Sequence, residues 1–219
     1  MDIIELKKEQ LKLAPKVVLR DSFTTLKMVG AAACHPFGSK LVAAVIVCEY
    51  PSWELKEKKT FVLDNPLSYR PEYEAYREMP AIIEAYNQLE TEPDLLLTYG
   101  PGILHPRGLG IASHLGLALN KSTIGIASFL PFGKVEKGKI VVGGEVKGFE
   151  VRTKEHANPL YISPGNLISV GSVLHLIPQM IHYPHKLPEP LHIAQRIVKK
   201  KVMKLKEGAS GSVISAENK

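Results

Sequence analysis

Residues 93–127, PDLLLTYGPGILHPRGLGIASHLGLALNKSTIGIA, hold the side chains best placed for chemistry. An apolar run ends at Tyr99. A loop of glycines and prolines follows, carrying His105 and Arg107, and a second apolar run closes the segment. In α/β sheets, functional groups gather where strands end and loops begin. Cutting a phosphodiester there would need carboxylates at adjacent strand ends to hold one or two Mg²⁺ ions, and a His or Lys to move protons. Few such groups are on offer. The first long apolar run, VGAAACHPFG, brings no acid, the second ends Cys48-Glu49, and the central one ends Thr98-Tyr99-Gly100. Glu78, on a helix after an irregular loop, is the one well-placed carboxylate, with His105 in a neighbouring loop. Asp94 begins the strand that Tyr99 ends. Five strand residues span roughly 16 Å, so Asp94 reads as a loop or cap residue. Cys34 and His35, together with Glu78 and His105, could form a soft-metal site, but Cys34 reads better as a small buried hydrophobe and His35 as a loop residue.

Two further groups could meet a ligand without reacting. Gly100, Gly102 and Gly110 lead into a helix whose N–H groups could take a phosphate or a flipped base; the same glycines could simply make a tight turn. In loop 68–72, Tyr69 and Pro71 flank Arg70. Tyr69 could stack on a base, or pack on its own helix.

The elements that must position these groups follow from periodicity. Apolar spacing over 3–20 predicts an amphipathic helix bent near Pro15. Runs 26–34 and 41–50, joined by HPFGS, predict a buried hairpin, with a more polar strand at 54–63. A helix is expected from about Glu72, kinked or restarted at Pro80. Strands at 95–97 and 123–127 flank a helix over 108–119, a βαβ unit that favours parallel pairing. A hairpin turning at Gly143-Gly144, a short strand in NPLYISPGN and helices at 167–183 and 189–205 complete the chain. The expected organisation is one domain over 1–207 and a disordered tail over 208–219. Antiparallel strands followed by parallel ones with helices imply an α/β fold: a mixed sheet with helices on both faces.

Composition bounds the partners. With 45% hydrophobic and 23% charged residues the 219-residue chain can bury a sizeable core. No apolar run approaches the roughly 18 residues of a membrane span, and the charged N-terminus does not read as a secretory signal. Two cysteines without a CxxC pair suit a reducing, cytoplasmic setting and no structural zinc. The net charge of +6 permits nucleic-acid binding. Between Lys186 and Lys206 there are seven Lys or Arg against one acid, Glu189. That run reads equally as a solvated helix face or a phosphate-contacting surface.

From about Leu11 to Lys200 the chain resembles the endonuclease V family, metal-dependent nucleases that cut near deoxyinosine in DNA or inosine in RNA. The resemblance rests on KVVLRDSF (16–23), EYPS (49–52), Tyr69 and Pro71, AYRE (75–78), PDLLL (93–97), HPRGLGIASHLGL (105–117), TIGIA (123–127), VRTKE (151–155), ISPG (162–165) and LPEP (187–190). It implies a ribonuclease H-like fold and a nucleic-acid partner, DNA or RNA. It also implies where chemistry is missing. Ala32 stands at the family's first metal-binding Asp, Tyr99 at the Asp of its Asp-Gly step, Ser128 at its catalytic Lys and Asn166 at the His of SPGH. Glu78 is the retained family acid, with His105 of the HPR loop. Tyr69 and Pro71 correspond to the loop that wedges into nucleic acid, where Glu72 replaces a Gly. Gly100, Gly102, Arg107 and Gly110 would complete the binding surface. One carboxylate cannot hold Mg²⁺, and a phenol at position 99 would fill the ion's place. The expectation is therefore no cofactor, with Mg²⁺ required if the chain is active, and binding without cleavage. An active nuclease with altered metal use and a non-catalytic protein-interaction module are the alternatives.

Overall fold

The computed structural model describes residues 2–153 and 157–216, with side chains to 208. Its centre is a long hairpin. β1 (Met28–Phe37) and β2 (Lys40–Glu49) pair antiparallel from Met28↔Glu49 to Phe37↔Lys40, and Gly38, at φ +56, makes the tight turn. HPFGS is thus mostly strand and not loop. Pro36 fits there because β4 (Leu95–Tyr99) flanks β1 only from Val29 to Ala32, so beyond Ala32 that side of β1 is an open edge.

β3 (Leu55–Asp64), β5 (Ser122–Ala127), β6 (Lys134–Glu136), β7 (Lys139–Val142), β8 (Glu145–Val151) and β9 (Leu160–Asn166) complete one sheet of order β3-β2-β1-β4-β5-β9-β8-β7-β6. β1, β4 and β5 run parallel; the other pairings are antiparallel. Helices cover both faces because both faces of the central strands are apolar. On one face, α4 (Val170–Gln179) and α5 (Glu189–Ala216) bury Val29, Ala31, Leu95 and Leu97. On the other, α2 (Glu74–Tyr86) and α3 (Ile111–Leu119) bury Ala32, Val45 and Leu96. The result is the mixed sheet with two-sided helical cover expected of a ribonuclease H-like fold.

Several boundaries differ from expectation. α1 (Ile3–Leu13) gives way at Pro15 to a short 3₁₀ turn over 14–16. α2 runs through Pro80 as one helix; burial of Met79, Ala81 and Ile82 outweighs the lost backbone hydrogen bond. α3 starts at Ile111, and β6 was not foreseen in its short, exposed sequence. α5 continues to Ala216, so backbone helix occupies most of the expected tail. Gly208 weakens a helix by only about 1 kcal/mol, and no proline stops it. Residues 217–219, and the end of VRTKE (154 and 155), lie outside the described residues. Among the described residues no helix is long and apolar enough to cross a membrane.

Candidate functional site

The parallel register sets Ala32 of β1 beside Thr98 of β4, near the end of the central strands. Both sit in the phase of Leu96, facing α2 and α3. Ala32 is fully buried and offers no donor. The Thr98 hydroxyl is buried without a hydrogen-bond partner. Tyr99 is in the opposite phase, that of Leu95 and Leu97, and is 38% exposed. The residue level with Ala32 on β4 is Thr98; Tyr99 is the last residue of that strand, where both it and Gly100 pair with Ile126. Ser128, just past β5, is exposed.

Glu78 approaches this face from α2. It lies close enough to Cys34, in phase with Ala32, to push the thiol up, after burial, which is the larger cause. The carboxyl itself is pushed up to about 7, first by burial, then by the Glu74 charge, against the opposing Arg77. The oxygen-bearing groups on offer near these strand ends are a carboxyl disfavoured as an anion, a buried hydroxyl and, one residue on, an exposed phenol. Mg²⁺ needs near-octahedral oxygen ligands and negative charge; this set supplies neither, and the neutral Cys34 thiol is no substitute. Among the described residues, no group of three or more His, Cys, Asp or Glu could hold a metal ion. His35 is excluded from a pair with Cys34 by alternation, and its Nδ1 lies 2.8 Å from the Pro36 carbonyl.

The glycine loop is packed backbone against backbone. A Cβ on Gly102 would stand 2.0 Å from the Pro164 oxygen, and one on Gly110 2.3 Å from the Pro101 oxygen. The three amides are already committed: Gly100 to the Ile126 carbonyl, Gly102 to Ser163 Oγ and Gly110 to the Gly102 carbonyl. Close approach, and not a vacant N–H cradle, accounts for these glycines. His105 is buried. Its Nε2 donates to the Glu72 carbonyl at 3.0 Å and its Nδ1 accepts from the Arg107 amide at 3.2 Å. Burial pushes it down to about 4, so it is neutral near pH 7. Arg107, its side chain 11% exposed, donates to Gln10 and to Glu72 and lies 4.7 Å over the Tyr73 ring.

Loop 68–72 is exposed throughout. Tyr69 is 60% exposed and touches Glu74 only through a long 3.4 Å hydrogen bond. Pro71 is exposed beside it, and Arg77 donates to the Leu67 carbonyl at the loop's start.

Asn166 does not join this cluster. It pairs with Thr123, which is level with Leu96, three strands from β1, or roughly 14 Å across the sheet. Its oxygen accepts from the Val18 amide and its nitrogen donates to the Gly116 carbonyl, so it ties the N-terminal segment to α3. Asp94 caps the start of β1 by accepting from the Lys27 and Met28 amides, and Glu49 pairs with Lys56 at the same end. Sequence reasoning missed Thr98, which needed the strand register, and Gln10. The signal for Gln10 was a polar residue in the buried phase of α1, four residues after Leu6. It also missed Phe129, 59% exposed and next to Ser128.

A sequence model of the Endonuclease V family matches residues 11–196. The chain is 33% identical over 195 residues to an endonuclease V of Dictyoglomus turgidum, covering 85% of each. Its structure is similar to that of an endonuclease V from Bacillus subtilis, with 27% identity, a TM-score of 0.86 and 95% of each chain covered. It is also similar to that of Ciona intestinalis endonuclease V in complex with a 24mer DNA containing an inosine followed by a ribo-adenosine. There the identity is 24% and the TM-score 0.84, over 93% of this chain and 98% of that one.

Proposed function

The chain belongs to the endonuclease V family, and from that premise we propose that it binds DNA or RNA at inosine or another distorted site and no longer cuts the strand. The observation that carries the reading is the face where β1 and β4 lie side by side beneath α2. It presents Ala32, an unpartnered Thr98 hydroxyl and a carboxyl whose charge is disfavoured. A phosphodiester cut assisted by metal needs anions there, and two of the family's acids are Ala32 and Tyr99. Ser128 stands where the family has its catalytic Lys, and Asn166 where it has a His.

Support for retained binding comes from the other side of the site. Tyr69 and Pro71 keep an exposed, projecting loop, as a residue that stacks at a lesion requires. The family relation supports a nucleic-acid partner. Gly100, Gly102 and Gly110 shape the floor next to the loop by close packing, and His105 serves as a neutral structural link and not a proton carrier.

Gel shifts with inosine-containing and matched plain oligonucleotides, as DNA and as RNA, test this. Binding should favour the inosine strand, weaken with salt and fall roughly 5- to 100-fold on Tyr69→Ala. If no oligonucleotide shifts at low salt, the fold serves a protein partner and the reading is wrong. The double substitution Ala32→Asp with Tyr99→Asp should bring back measurable Mn²⁺ binding by calorimetry if loss of those acids emptied the site of charge.

A further inference from the structure

Glu72 closes the exposed loop in a conformation that side chains avoid, φ +69. Packing does not hold it there. The inner side of the loop borders a cavity of about 220 Å³ whose walls include Leu6 of α1, Leu67 and Tyr73. What holds it is a set of polar contacts converging on one residue. The Glu72 carbonyl accepts from Gln10 Nε2 at 2.8 Å, His105 Nε2 at 3.0 Å and Arg107 Nη2 at 3.3 Å. Its amide donates to Glu74 Oε1 at 3.1 Å, and its carboxylate accepts from Arg107 Nη1 at 2.8 Å. Arg107 Nε in turn donates to Gln10 Oε1 at 2.6 Å. Three separate parts of the chain, namely α1, the β4–α3 loop and the start of α2, therefore meet at a single peptide group.

The chemistry of the contacts says what they do. Gln10 is buried on α1 and has both ends of its amide engaged, one on Glu72 and one on Arg107. A buried amide satisfied at both ends fixes geometry, because moving either partner strands a polar group. Arg107 has its guanidinium occupied by Gln10, Glu72 and the Tyr73 face. A phosphate would have to displace the Glu72 carboxylate to reach it.

We infer that Gln10 and Arg107, acting through the Glu72 carbonyl, are positioning residues that hold the Tyr69 loop in its binding shape, so that α1 is a working part of the nucleic-acid site. Arg107 serves the loop and makes no phosphate contact. This deepens the proposed function and rests on it for the binding step; the ordering of the loop does not.

The test uses Gln10→Leu, which keeps α1's buried volume while removing both polar contacts, with Arg107→Gln as the second variant. In the free protein, amide exchange in residues 68–74 should rise about 10-fold in Gln10→Leu while β1 and β4 stay protected. Affinity for an inosine oligonucleotide should fall about 10-fold in both variants with an unchanged salt slope, and neither change should matter further in a Tyr69→Ala background. Unchanged loop exchange, or losses that add to that of Tyr69→Ala, would overturn the inference. So would a salt slope reduced by about one phosphate contact in Arg107→Gln. If the unaltered protein binds no oligonucleotide while Gln10→Leu still loosens the loop, the proposed function fails and the clamp stands as a structural device alone.

Discussion

Glu78 and His105 titrate in opposite senses, and each gives a measurable signature. The fold favours the neutral Glu78 acid, raised to about 7 chiefly by burial. Its contribution is complete below the ordinary carboxylate value and is lost as pH rises through about 7. Glu78→Gln should therefore match the unaltered protein in urea unfolding near pH 4 and exceed it by roughly 1–3 kcal/mol at pH 8.5. His105 is lowered to about 4, again chiefly by burial. Its contribution is present above the ordinary imidazole value of about 6.5 and lost as pH falls toward 4. His105→Asn should flatten the fall in stability over that interval, as followed by thermal melts at fixed ionic strength. At this scale the residue types were legible in the sequence: an acid, an imidazole and the absence of further acids. Their phase was not. Whether position 98 or 99 faces α2, and whether His105 is buried, depends on register and on contacts from residues far away in the chain.

The β4–α3 loop shows how an element can be specified by what it excludes. Gly102 lies under the Pro164 carbonyl of β9, so a methyl group there forces the loop off that strand. Gly102→Ala should cost about 3 kcal/mol or more in urea unfolding, well above an ordinary loop substitution. A near-neutral result would mean that the loop can shift and that its shape is not fixed by β9. The hairpin, the βαβ unit and the Gly143-Gly144 turn were readable because apolar period and turn residues agree locally; Gly143 and Gly144 do take positive φ. β6 and the length of α5 were not readable. β6 is three exposed residues with no apolar pattern, and α5 continues through Gly208 where composition suggested a tail.

Across the whole molecule, a net charge of +6 favours a polyanionic partner. Arg196, Lys199, Lys200 and Lys204 lie exposed on one side of α5, away from its buried Val198 and Val202. Affinity for any oligonucleotide should decline linearly in log–log form with salt, by a slope of several counterions. The fold itself separates two tasks. The proposed clamp draws on α1, the β4–α3 loop and the start of α2, and the proposed ion position on β1, β4 and Glu78 of α2, with no side chain common to both, so one could be lost while the other persists. The direct measurement is a single time course with the unaltered protein and an inosine-containing oligonucleotide in Mg²⁺ and then Mn²⁺, reading gel shift and strand cleavage from the same samples. A shifted band with no product is predicted in both metals. Metal-dependent product that disappears in Glu78→Ala would contradict the account.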